Sequence, residues 1–302
     1  MICKPVLVGL TLFAAACGNY SNEDLEYLNA VPAAQDISAD IPRAPLLANE
    51  AEMAKLTHDT VAVFNGALKF LEAADVIRTY PATTRIPNGR IWGPVPMDDH
   101  PGWQWRFIVT REPERPDVFH YSFDVERVGG GPNDWIPFIY GEFTAVNGVR
   151  KGMGEFHMTT DALIAADFTI APNLKGETLK ELAVKYSTET FPVHVEMHVT
   201  MYNDLTLTTY FTIDIVYEAQ ATGQGAIDFD ATDSQGNSIG VVSRWLATGR
   251  GRADVTVTAG PLVNGMRTQC WNDSFEQTYN NVSWDPTMNS GEITNCPEIS
   301  TL

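Results

Sequence analysis

The residues best placed to do chemistry are His194-Val195-Glu196-Met197-His198. Imidazole nitrogens and carboxylate oxygens are what zinc accepts, and the same groups serve as general bases. On a β-strand His194, Glu196 and His198 point to one side, with about 6.8 Å between successive same-face positions. That spacing is wide for three ligands on one ion, although two of them with a neighbouring strand would suffice. His120 and His157 fall on the polar faces of their own predicted strands. The competing reading is a polar sheet face that carries titratable groups and holds no metal or cofactor. Asp228, Asp230 and Asp233, followed by Gln235-Gly236-Asn237, have the composition of a calcium loop but not its ligand spacing, so they read as a hairpin turn. The chain has no Gly-x-Ser-x-Gly elbow, no phosphate-cradling loop and no His-Glu-x-x-His. Nothing singles out a pair of carboxylates. These readings favour a protein that is not an enzyme.

A different chemistry is written at the N-terminus. Leu12-Phe13-Ala14-Ala15-Ala16-Cys17 follows a single charge, Lys4, and a short apolar run. The run is shorter than the roughly 20 residues that span a bilayer, and suits a signal peptide. Small residues leading into cysteine predict a lipoprotein signal over residues 1–16, with Cys17 taking the lipid. Gly18-Asn19 lacks the aspartate of inner-membrane retention, so the outer membrane is the expected location. Of the four cysteines, Cys3 leaves with the signal and Cys17 is lipidated. Cys270 and Cys296 remain, and in an oxidising compartment they are expected to form a disulfide.

A formal net charge of -18 excludes the clustered Lys and Arg that nucleic-acid binding requires. It also disfavours electrostatic adsorption to anionic lipid, leaving the N-terminal lipid as the membrane contact. The remaining partners to consider are a hydrophobic small molecule or lipid, or another envelope protein.

The elements that must position these residues follow from hydrophobic periodicity. Residues 17–48, punctuated by Pro32, Pro42 and Pro45, read as a tether partly laid on the surface. Residues 49–77 read as one long amphipathic helix, with Asn49 and Glu52 forming a capping box. The proline-rich stretch 79–102 reads as an extended connection. From Trp103 the period becomes two. Strands are predicted near 103–109, 119–125, 136–146, 151–159, 180–187, 193–201, 205–217, 225–231, 239–246 and 252–259. Each has one apolar and one polar face.

The predicted fold is therefore mainly β (α+β). One curved antiparallel sheet of about ten strands forms an incomplete barrel, with the helix on its concave face. Residues 49–302 make a single domain ending in the disulfide segment, and a closed barrel is the rival. Trp103, Trp105, Phe119, Tyr121, Phe123, Phe156, Met158, Met197, Met201, Phe211 and Tyr217 then either line an apolar cavity or fill the core.

One ordered set of stretches stands out: residues 21–32 (SNEDLEYLNAVP), Pro81-Ala82-Thr83-Thr84-Arg85, Ile91-Trp92-Gly93-Pro94, Gly152-Met153-Gly154-Glu155-Phe156, Ser243-Arg244-Trp245, residues 248–255, and Cys270-Trp271-Asn272-Asp273-Ser274-Phe275 with Cys296. Together they resemble a family of outer-membrane lipoproteins abundant in myxobacteria, to which no activity is assigned. The chain departs from that pattern at Asn272, where aspartate is expected. The resemblance carries over no functional residue. A weaker, architectural similarity is to half-barrel periplasmic lipid carriers such as the lipoprotein-localisation chaperones, and fold alone does not fix function. The favoured function is non-catalytic binding of a hydrophobic ligand or lipid. The alternatives are a structural or interaction lipoprotein with a filled core, and a metal-dependent enzyme using the His194/Glu196/His198 face.

Overall fold

A computed structural model describes residues 22–42, 50–69, 71–72, 76–98, 100–146, 150–168, 178–202, 210–232 and 238–298. The expected signal and Cys17 lie outside them. Fifteen strands form one antiparallel sheet in chain order, without closing. They are β1 (Thr84–Ile86), β2 (Gly89–Pro96), β3 (Trp103–Arg111), β4 (Val118–Arg127), β5 (Ile136–Ala145), β6 (Gly152–Thr159), β7 (Thr178–Ser187) and β8 (Val193–Tyr202). β9 (Tyr210–Ala219), β10 (Gly225–Thr232), β11 (Ser238–Trp245), β12 (Gly251–Ala259), β13 (Met266–Trp271), β14 (Gln277–Val282) and β15 (Ser290–Gly291) complete it.

Fifteen strands replace the ten expected, the additions being β1, β2 and β13 to β15. Prolines hide β2: Pro94 sits where the β2–β3 register shifts between Trp92 and Val95, a position that needs no ladder donor. Polarity hides β13 and β14. Arg267, Gln269 and Asn280 are buried there, and they satisfy one another rather than water. The Arg267 Nε donates to Asn280 Oδ1 at 3.0 Å, and Gln269 Nε2 donates to Gln277 Oε1 at 2.7 Å.

The single long helix is also corrected. Helix α3 covers Glu52–Leu68, and a separate short helix, α4, covers Val76–Thr79. The Lys69 N–H bonds the Gly66 carbonyl, tightening the last turn and ending the helix. Asn49 lies outside the described residues, and Ala51, just before the helix, supplies no side-chain cap. The cap comes from the sheet: Met53 N–H donates to Gln269 Oε1 at 2.7 Å. On the same side, Thr57 and Ser243 join hydroxyls at 2.8 Å.

The largest correction concerns the expected tether. From residue 22 to 42 the chain is part of the folded body, as helices α1 (Asn22–Asn29) and α2 (Ala34–Ile37) and the segments beside them. Tyr27, Val31 and Ile37 are fully buried. Asp24 is held at 2.5 Å by buried Arg90 and at 2.9 Å by Arg85, while Arg111 reaches Glu26 at 2.7 Å. Further along, Arg150 pairs with Asp36, and the Trp245 indole donates to the Asp40 carbonyl at 3.3 Å. All these strand partners lie at one end of the sheet, the end of the β1–β2, β3–β4, β5–β6 and β11–β12 turns. Residues 22–42 therefore cap that end. The other end carries the connections 97–102, 128–135 and 260–265.

One face of the sheet and the helices share a single core running from Trp92 to Phe275. Several of its aromatic rings lie over glycines on adjacent strands. Gly225 pairs with Trp245, Trp245 with Gly251, and Gly251 with Trp271. Tyr121 likewise opposes Gly141, and Tyr186 opposes Gly154. A Cβ on Gly225, Gly251, Gly141 or Gly154 would meet the facing ring or hydroxyl at 2.4–2.6 Å. The missing side chain lets each large ring lie flat on the sheet.

Candidate functional site

The opposite, outer sheet face carries His120, His157, His194 and His198. His194, Glu196 and His198 project together from β8, while Val195, Met197 and Val199 are buried on the other side. They do not converge on one point. His198 Nδ1 meets Asp214 at 2.6 Å, and His194 sits between Glu218 and Glu196, at 3.2 Å from each. His157 stacks on Tyr140 and lies 3.6 Å from Glu155. Each imidazole is thus engaged by its own carboxylate, the arrangement of a solvated polar face. Among the described residues one trio could surround a cation: Glu112, His120 and Glu142, with ligand atoms within 4.8 Å of one another. Arg115 already grips Glu112 through two nitrogens, at 2.6 and 2.7 Å. The hydrogen bonds from Arg115 and His120 hold the Glu112 carboxyl below the usual range. Of the expected calcium-like acids, Asp228 is bound by Arg244, Asp230 is exposed at the end of its ladder, and Asp233 lies outside the described residues.

The aromatic and methionine set proves to be core. Trp103, Phe119, Tyr121, Phe123, Phe156, Met158, Met197 and Tyr217 are all buried in the shared cluster, and Trp105 and Met201 pack against it. Nothing is described of the Phe211 side chain. Among the described residues, these side chains pack together between helices and sheet.

One open space lies at the uncapped end, where strands part. The β9–β10 ladder runs from Gly225↔Ala219 to Phe229↔Ile215 and stops. Beyond that rung β9 stays with β8 as far as Tyr210↔Tyr202, and β10 stays with β11 as far as Thr232↔Ser238. A β-bulge at Ser238/Ile239 adds local twist on the β10 side of the gap. Behind the gap lies α3. The result is a cavity of about 730 Å³. Leu56 and Val63 of α3, Ile213 and Ile215 of β9, Phe229 of β10 and Ile239 of β11 give it apolar walls. Asp59, Thr60, Thr212, Asp230, Ser238 and Thr258 form its polar part. Its size is that of a small-molecule site, and its lining combines an apolar wall with an equal number of polar residues.

A second cavity of about 570 Å³ opens at the same end, between β2 and β3, with Tyr80, Trp92, Met97, His100 and Trp105 in its walls. Of the expected cavity residues that are described, only Trp105 lines either space. Reading the chain by strand periodicity missed Leu56, Val63, Ile213 and Ile239 as site residues, because a periodic apolar position reads as core. What exposes them is the early end of one ladder, which is a property of strand pairing.

Comparison with protein-family models, with curated proteins and with solved structures yields no match to the chain.

Proposed function

We propose that the chain is a lipid-anchored envelope protein, held at the outer membrane through Cys17, that binds a hydrophobic ligand or lipid without catalysis. The observation that carries this reading is the apolar cavity between α3 and the parted strands β9 and β10. Fifteen strands paired in sequence, with helices on one face, also support an incomplete barrel curled around those helices. Among the described residues no helix is long and apolar enough to cross a membrane. In this reading the acyl chains on Cys17 provide the attachment, since two or three chains exceed the marginal single-chain case. The resemblance to myxobacterial outer-membrane lipoproteins points the same way.

The test uses the mature full-length chain with Cys17→Ser, which carries no lipid of its own. N-phenylnaphthylamine should bind with a rise in fluorescence, and Val63→Trp, which fills the cavity, should abolish the rise. Binding that survives Val63→Trp would place the dye elsewhere and remove the carrying observation. The same Cys17→Ser chain, expressed in cells, should leave the membrane fraction.

A second reading has its own support. The packing of side chains between helices and sheet favours an interaction lipoprotein with no ligand, and absence of dye binding together with a captured envelope partner would select it. The reading as a metal-dependent enzyme gains no support, because His194 and His198 face separate carboxylates.

A further inference from the structure

We propose that the occupant of the β9–β10 cavity is a cationic amphiphile, an apolar body that carries an ammonium group. The inference rests on the ligand-cavity reading above. Its basis is the sign of the charge where the cavity meets water. The described lining residues include two carboxylates, Asp59 on α3 and Asp230 on β10, and no lysine, arginine or histidine. Asp59 is paired with Lys55, whose ammonium lies 2.7 Å away in an exposed i,i+4 pair. Such pairs contribute little and exchange readily with another cation. Asp230 is exposed and sits at the last, unshared stretch of β10, where the gap between strands opens.

The wall and the rim therefore select different parts of one molecule. Leu56, Val63, Ile213 and Phe229 accept an alkyl or aryl body, and burying it supplies the affinity. An ammonium at the rim meets Asp59 and Asp230. A carboxylate or phosphate head at the same place meets like charge, and the Lys55 ammonium beside it is already paired with Asp59. The formal net charge of -18 acts in the same direction at longer range, by raising the local concentration of cations.

The experiment is displacement of bound N-phenylnaphthylamine from the mature Cys17→Ser chain. The competitors share a dodecyl tail: dodecyltrimethylammonium, dodecanoate and dodecyl maltoside, each below its micelle-forming concentration. The cation should displace the dye at a concentration about tenfold lower than dodecanoate, with the neutral maltoside between them. Asp59→Asn with Asp230→Asn should narrow that ratio to about twofold. Glu112→Gln with Glu142→Gln, which removes the same charge elsewhere, should leave the ratio unchanged. Equal or tighter binding of dodecanoate overturns the proposal, as does a preference that survives the Asp59/Asp230 change. In both cases dye binding blocked by Val63→Trp leaves the cavity reading standing. Failure of the dye to bind at all overturns both.

Discussion

The glycine–tryptophan alternation across β10 to β13 makes a sharp prediction about stability. In Gly251→Ala the new methyl would lie 2.4 Å from Trp271 Cζ2, 2.7 Å from its Cε2 and 2.6 Å from the Arg244 carbonyl oxygen. Carbon atoms in contact prefer about 3.5–4.0 Å, so the ring must retreat by about 1 Å. Trp271 is fully buried, and its indole N–H donates to the Gly249 carbonyl at 2.8 Å. Overpacking of this kind costs about 1–3 kcal/mol, and losing the indole bond adds about 1 kcal/mol. The expected destabilisation is about 3 kcal/mol, or about 6–12 °C in Tm. Urea unfolding followed by circular dichroism measures it, with the slope unchanged. Gly66→Ala is the internal control. No atom lies within 4 Å of that Cβ and the site is in a helix, so the same substitution should stabilise by about 0.5–1 kcal/mol. Trp271→Phe in the Gly251→Ala background should recover at least about 1 kcal/mol relative to additivity. A neutral Gly251→Ala, or strict additivity with Trp271→Phe, would refute the argument that the glycine exists to seat the ring.

Three further outcomes are expected. Asp24→Asn removes one of the two carboxylates that hold buried Arg90 and leaves Glu23 at 2.9 Å, so chemical denaturation should show a loss of about 1.5–3 kcal/mol, and a loss below about 0.5 kcal/mol would deny Asp24 that role. Burial pushes the Tyr121, Tyr186 and Tyr217 hydroxyls above their ordinary range. Their stabilising contribution is complete below about pH 10 and falls as pH rises further, because the unfolded chain ionises first; Tyr121→Phe with Tyr186→Phe should flatten that alkaline loss in a Tm-versus-pH series. The Cys270–Cys296 bridge closes a separation of 26 residues. Replacing both cysteines with serine should cost about 3.5 kcal/mol on the chain-entropy model, read from the urea midpoint.

What was legible in the sequence was what strict alternation writes. Phe119, Tyr121, Phe123 and Val125 read as one face of a strand, and they are buried together on β4. The disulfide was legible because elimination left only one pair. The strands that alternation did not write were lost. β13 turns Arg267 and Gln269 inward, and partners on other elements, Glu52, Met53, Asn280 and Gln277, make that tolerable. The segment 22–42 was misread for the same kind of reason. Asp24 looks like a solvated helix-start acid until Arg85 and Arg90, far along the chain, are brought over it. The candidate site suffered most, since a gap between strands is the absence of pairing, and no local pattern of residues encodes where a ladder will stop.

In the lipid-anchored reading proposed above, folding of the segment 22–42 sets how the protein would sit on a membrane. A lipid on Cys17 would be joined to α1 by the few residues up to Asn22, a span of at most about 17 Å. The body would be held close to the bilayer, and by its capped end, because α1 is pinned there through Arg85, Arg90 and Arg111. The cavity opens at the far ends of the strands. The nine residues of β3 set that separation at about 30 Å. The cavity mouth would then face the aqueous compartment rather than the anchoring leaflet. Fluorophores on Thr222→Cys, in the β9–β10 turn at the capped end, and on Val263→Cys, exposed at the uncapped end, separate the two orientations in vesicles with spin-labelled headgroups. The Thr222 label should be quenched strongly and the Val263 label little. The opposite order would mean that the anchor does not fix the capped end toward the membrane. With the expected order, a ligand must reach the cavity through water. That route suits an amphiphile with a charged head better than a fully apolar lipid, and it agrees with the two carboxylates at the mouth.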